Sequence, residues 1–115
     1  MITNTELTLY HLTSDANGND KWIRHNYNKV WMHGGKGASI NKGYENANDV
    51  DVRIWYQLNQ GLDIKDMAQG DIIVRGKLEL DITSQQDLEG YEFYNITSIT
   101  NNTYGNNKHI HLGGK

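Results

Sequence analysis

At 115 residues, with 11 basic and 14 acidic side chains and a formal charge of −3, the chain is sized for one domain, 1–115, and lacks the basic excess of a dedicated nucleic-acid binder. With no cysteine it can build neither a disulfide nor a thiolate metal site, and with no proline its turns fall to Gly, Asn and Asp. No apolar run nears the ~20 residues a spanning helix needs, and Met1-Ile2-Thr3-Asn4-Thr5-Glu6 has no basic-then-apolar leader pattern, so a soluble, membrane-free protein that stays in the cell making it is expected.

In chain order, Glu6–Leu12 alternates and reads as a strand, with Leu7, Leu9 and His11 on one face and Thr8, Tyr10 and Leu12 on the other. The polar run Ser14–Asp20 contains Asn17-Gly18, a strong hairpin signal. A second strand runs from Trp22 to Met32. Its apolar residues change parity between Trp22 and Val30, which predicts a bulge or a break near Asn26 or Asn28. Gly34 to Asn48 is a long glycine-rich loop, and a loop of that length in a small domain is expected either to carry function or to be mobile.

Asp49–Tyr56 alternates cleanly, with Val50, Val52, Ile54 and Tyr56 on one side. Leu62–Ala68 reads as a short helical turn or an irregular link. Gly70-Asp71-Ile72-Ile73-Val74-Arg75-Gly76-Lys77 opens a long strand, predicted to run from Asp71 to Asp81 with a bend at Gly76. Thr83–Leu88 begins with capping residues and predicts one or two helical turns. Phe93–Thr100 and Lys108–Leu112 complete the sheet. The expected fold is mainly β: a small antiparallel barrel or sandwich with one long Gly-rich loop and at most one short helix.

Chemical motifs are sparse. Gly34-Gly35-Lys36-Gly37-Ala38-Ser39 has the composition of a phosphate loop, but Lys36 precedes the final Gly and no helical period follows. His109-x-His111 puts two imidazoles on one strand face. A metal site would need further ligands, for which His33, His25 or Asp51 are the candidates. The carboxylates are scattered over strand ends and turns, and Asp71 after Gly70 reads as a turn-fixing residue. No serine sits in a nucleophile elbow. No catalytic residue, no metal and no cofactor are therefore expected, and the protein is read as a non-enzyme. Trp22, Trp31 and Trp55, with seven tyrosines, are core or interface residues first, and aromatic residues are enriched in protein–protein contacts.

Several segments together carry a resemblance: Leu7-Thr8-Leu9-Tyr10, Val30-Trp31-Met32-His33, Gly37-Ala38-Ser39, Asp49–Ile54, Gly70–Gly76, Tyr94–Ile99, and Tyr104-Gly105 with His109–Lys115. Their order resembles the small neck proteins of tailed phages and prophages of low-GC Gram-positive bacteria, of the head-completion, stopper or head–tail joining type. The resemblance implies a β-barrel subunit, present in the host bacterial cytoplasm during assembly and then in the virion. Its implied partners are copies of itself in a ring, the portal or adaptor, and tail proteins, with passing contact to DNA. The long loop, through Gly34, Gly35, Lys36, Gly37, Ser39, Lys42 and Tyr44, is the expected assembly segment. The alternative is a small phage-encoded anti-defence or regulatory protein that captures a host protein or a nucleotide.

Overall fold

The computed structural model describes residues 3–34 and 49–115. Six strands, β1 (Thr5–Ser14), β2 (Asp20–Gly34), β3 (Val50–Trp55), β4 (Ile72–Arg75), β5 (Phe93–Asn102) and β6 (His109–Gly114), close into one antiparallel barrel in the order β1-β2-β3-β6-β5-β4. The fold is a barrel and not a sandwich, because β4 pairs with both β1 and β5 and so completes the circle. Closure leaves no edge strand among the described residues.

Period-two alternation sends one side of each strand inward. Leu7 and Leu9 meet Val30, Val52, Ile54, Ile73, Ile110 and Leu112 in the main core, all at 0 % exposure. Gly114 also faces this interior. A Cβ there would come to 3.0 Å from Val50 Cγ2 and 3.1 Å from Tyr94 Cβ, so the bare backbone lets these side chains pack closely. The Leu62–Ala68 link forms a single 3-10 turn, Ile64–Asp66, begun by Asp63, whose carboxylate accepts the Lys65 N–H at 2.9 Å. It contributes Leu62 and Met67 to the same core.

The predicted β2 bulge is present. The β1–β2 register slips by one between Thr5↔Val30 and Leu7↔Tyr27, which leaves an extra residue in β2 around Asn28 and Lys29. Asn59 satisfies the displaced backbone: it accepts the Asn28 N–H at 3.0 Å and donates to the Lys29 carbonyl at 2.9 Å. The Asn17-Gly18 hairpin is also present. Asp15 accepts the Asn17 and Asn19 N–H groups, and Gly18 takes φ +83.

The long strand predicted for Asp71–Asp81 stops at Arg75. Gly76, at φ +95, turns the chain out of the barrel wall. Residues 77–91 then cross the outer side of β1 and β4 as a flap. Side chains take over from the backbone ladder there. Thr8 Oγ1 donates to the Gly76 carbonyl at 2.9 Å and accepts the Leu78 N–H at 2.8 Å, Asn26 donates to the Leu78 carbonyl at 3.1 Å, and the Tyr10 hydroxyl donates to the Leu80 carbonyl at 2.5 Å. Under the flap lies a second apolar cluster of Tyr10, Ile72, Val74, Ile82 and Leu88. Leu7 to Tyr10 are consequently buried on both faces, where alternation alone predicts a one-sided strand. The Thr83–Leu88 helical signal is a 3-10 turn, Gln85–Leu88, whose Asp87 accepts from Thr83 and Ser84.

One rim of the barrel gathers several chain positions. Asn4 bonds β2 through Val30 and Met32, and Asp49 donates to the Gly114 carbonyl at 2.7 Å. Lys115 exchanges two backbone bonds with Asn95 at the same end. The Asp15–Asn19 hairpin lies at the opposite pole, at the far end of β1.

Candidate functional site

The richest chemistry sits on the outer wall made by β2, β3 and β6. After the bulge, β2 turns Val30 and Met32 inward and Trp31 and His33 outward. Cross-strand pairing then places Trp31 opposite Arg53 and His33 opposite Asp51; Arg53 lies opposite His111, and Trp55 opposite His109. Three adjacent strands thus present Trp, His, Arg and Asp side by side, because residues in register on one face are nearest neighbours.

These side chains touch. The Trp31 and His33 rings stack at 5.6 Å with an interplanar angle of 7°, and the Arg53 guanidinium lies 4.9 Å from the Trp31 ring centroid. A cation over an indole at an exposed site contributes about 0.5–1 kcal/mol, which biases Arg53 toward this position while its side chain stays exposed. His111 Nε2 is 3.5 Å from Asp51 Oδ1, with both side chains well exposed. Trp55 is only 7 % exposed and tilts against His109 at 6.1 Å.

His109 is fully committed. Its Nδ1 donates to the Asn107 carbonyl at 2.9 Å, and its Nε2 accepts from Asn102 at 3.1 Å. Both ring nitrogens are thus engaged by the β5–β6 connection. Of the sequence candidates, Asp51 meets His111 and His33 lies opposite Asp51, but these side chains do not converge with His25 and His109 into a ligand set. Among the described residues, no group of three His, Cys, Asp or Glu is placed to hold an ion.

A second pair, His11 and Asp71, looks catalytic on paper. Asp71 is 2 % exposed and its Oδ2 accepts from His11 Nδ1 at 2.6 Å. Its remaining bonds go to backbone, from Ala68 N–H at 2.7 Å and Leu12 N–H at 3.0 Å. The carboxylate therefore ties the turn entering β4 to the end of β1, as expected of a turn-fixing residue. A polar cleft of about 380 Å³ lies between the β2 bulge and the Leu58–Gly61 turn, but its central side chain, Asn59, is used up by the bulge. Tyr27 lines the cleft; burial, then Asp66 and Asp63, raise its pKa far above the usual tyrosine value, so its hydroxyl stays protonated.

Of the predicted assembly segment, Gly35, Lys36, Gly37, Ser39, Lys42 and Tyr44 lie outside the described residues. Gly34 is described and ends β2. Its carbonyl accepts from Arg75 Nη2 at 2.7 Å, and Arg75 Nε pairs with Glu92 at 3.0 Å. At φ +91, Gly34 approaches the Asp49 carbonyl so closely that a Cβ would stand 2.5 Å from that oxygen. Sequence reading singled out His109, His111, Asp51 and the tryptophans separately. It missed Arg53 and the union of all of them on one wall; only the strand register, fixed by the bulge, could reveal it.

The fold and this wall define a class: a small closed β-barrel that displays a preorganised aromatic and cationic face on its own sheet. Within that class the chain belongs to the family of unknown function DUF6751, whose family model matches residues 2–115. No curated protein matches the chain. No solved structure matches it either.

Proposed function

We propose that the protein is a non-enzymatic assembly subunit that binds protein partners through the β2–β3–β6 wall. In its specific form, suggested by the sequence resemblance, it is a head–tail connector of a tailed phage or prophage. The observation that carries the reading is the His33–Trp31–Arg53 stack, an exposed and already ordered set on a rigid sheet. Trp and Arg dominate the energetics of protein interfaces, and a side chain held in place before binding loses less entropy on docking. The wall is broad and open, which suits a partner surface better than a small substrate. Gly34 and Asp49 lie at the rim of the barrel beside His33 and Asp51.

The test mixes the purified protein with portal, adaptor and tail proteins of a tailed phage of a low-GC Gram-positive host and follows complexes by sedimentation velocity. Removing a central interface anchor costs about 2 kcal/mol or more, which is roughly 30-fold in affinity. A Trp31→Ala/Arg53→Ala double variant is expected to keep its β-sheet circular dichroism and lose co-sedimentation by at least that factor. Unchanged binding by the double variant rejects the wall as the interface. Capture of a nucleotide in place of any protein would replace this reading with the anti-defence one.

A further inference from the structure

We propose that the first half of β2 carries an open strand edge, at Trp22–Asn26, and that this edge takes an extended segment of another protein as an added β-strand. The edge lies outside the β2–β3–β6 wall and is independent of it.

β2 has a strand on either side, but it outruns one of them. β1 accompanies it from Asp20 to Val30, whereas β3 pairs only with Val30–Gly34. Ahead of the bulge, the side of β2 turned away from β1 therefore has no strand beside it among the described residues. The Asn59 side chain reaches across to Asn28 and Lys29, and no further.

Backbone direction settles which groups are left over. Each residue of an antiparallel strand aims its N–H and C=O at one neighbour, and the next residue aims at the other. In β1 the even residues aim toward β4: the Glu6 carbonyl accepts the Gly76 N–H at 2.8 Å, and the Leu12 N–H donates to Asp71 at 3.0 Å. Leu7, Leu9 and His11 therefore exchange their bonds with Tyr27, His25 and Ile23, which lie opposite them. Trp22, Arg24 and Asn26 point the other way, as the Asn28 N–H does toward Asn59. Among the described residues, no backbone group bonds them on that side. Exposed backbone donors and acceptors in a row are a template for a further strand.

The edge has room and a chemical preference. The cleft of about 380 Å³ between residues 25–28 and the Leu58–Gly61 turn opens on it. The outward row of β2 is already engaged: Trp22 packs on the flap cluster, Arg24 pairs with Asp81, and Asn26 bonds the Leu78 carbonyl. The inward row holds Ile23, which is 39 % exposed, and His25, stacked on Tyr27. The segment that fits is extended and sets an apolar side chain beside Ile23. Main-chain bonds supply its affinity and that side chain its selectivity. Exposed Lys21 and Lys29 bracket the edge, and lysine on an edge discourages indiscriminate pairing, including with the β2 of another copy.

The experiment uses the full chain as bait for an mRNA-displayed library of random linear peptides, and the selected peptide is synthesised. In the free protein, amide exchange is expected to alternate, fast at Trp22, Arg24 and Asn26 and slow at Ile23, His25 and Tyr27. With the peptide bound, the first three are expected to slow about tenfold or more. Arg24→Pro deletes an edge N–H that β1 does not use, a position where proline is tolerated. It is expected to keep its β-sheet circular dichroism and bind about tenfold more weakly, whereas Arg24→Ala, which loses the same Asp81 contact, binds like the wild type. Of two peptides N-methylated at alternate positions, odd or even, one is expected to lose binding and the other to keep it, because an added strand pairs through one edge. This arm decides the matter if Arg24→Pro does not fold. A library without binders, equal binding by both methylated peptides, full binding by a folded Arg24→Pro, uniform exchange across Trp22–Tyr27, or a wild type that dimerises through these amides would each overturn the proposal. Trp31→Ala/Arg53→Ala is expected to bind the peptide normally, so its loss of neck-protein binding bears on the wall alone; its loss of peptide binding would overturn the edge.

Discussion

Asn59 holds a position out of proportion to its size. It sits in the turn after β3, 7 % exposed, and its amide supplies both the acceptor and the donor that the β2 bulge lacks. Asn59→Ala would leave the Asn28 N–H and the Lys29 carbonyl without partners, at about 1–3 kcal/mol. Urea unfolding should show that loss with an unchanged m-value, and hydrogen exchange should speed up first at Asn28. Gly34 is constrained differently. Gly34→Ala places a methyl against the Asp49 carbonyl at a left-handed φ, which costs about 1–2 kcal/mol before any clash is counted. The expected result is a lowered melting temperature with the Arg75–Gly34 bond disturbed, read from the Arg75 Nη2–H resonances. At this scale the sequence was partly legible. The parity switch in β2 announced the bulge, but nothing in the chain marked Asn59 as its partner, because the pairing spans about thirty residues and is made by a side chain.

At the scale of elements, the flap is the feature that periodicity could not reveal. Ile72-Ile73-Val74-Arg75 and Lys77–Asp81 read as one strand because both stretches are extended; the difference is where their hydrogen bonds go. The first stretch pairs with β1 and β5, and the second is held by the side chains of Thr8, Tyr10 and Asn26. Thr8→Val keeps the shape and removes the hydroxyl. It should destabilise the protein by about 1–3 kcal/mol, since the Gly76 carbonyl and the Leu78 N–H lose their partner. Protease sensitivity should rise within 77–91 and remain low in β1.

Two turns of the same molecule respond to acid. N–H groups of Asn19 and then Asn17 hold Asp15 below the usual carboxylate range, and the Thr83 N–H, the Thr83 hydroxyl and the Ser84 N–H do the same for Asp87. A folded pKa below the unfolded value of about 3.9 contributes stability above that pH, and the contribution disappears as pH falls through the lowered value. Amide resonances of Asn19 and Thr83 should therefore move together with their carboxylates below about pH 4, and Asp15→Asn should flatten the first response only.

At the scale of the whole molecule, the barrel reconciles a small chain with two separate apolar clusters. The interior is filled from all six strands, and the second cluster shares the β1–β4 wall with it, so that wall is buried on both sides. The fold class was legible because alternation and turn residues agree along most of the chain. Closure was not, since it depends on the short β4 pairing on both flanks. The candidate wall was legible only as fragments: His109-x-His111 drew attention as a metal pair, whereas register joins it to Trp31 and Arg53 on neighbouring strands.

The gathering of Asn4, Gly34, Asp49 and Lys115 at one rim gives the molecule a crowded pole and a quiet one. A purification handle or fluorophore fused at residue 115 would emerge at the rim that holds Gly34 and Asp49, where it could mask whatever that pole touches. The Asp15–Asn19 turn, at the far end, offers a neutral attachment point. Reporters spliced there would leave the busy pole unencumbered, and an apparent lack of binding by an end-labelled preparation should be judged only after the label has been moved.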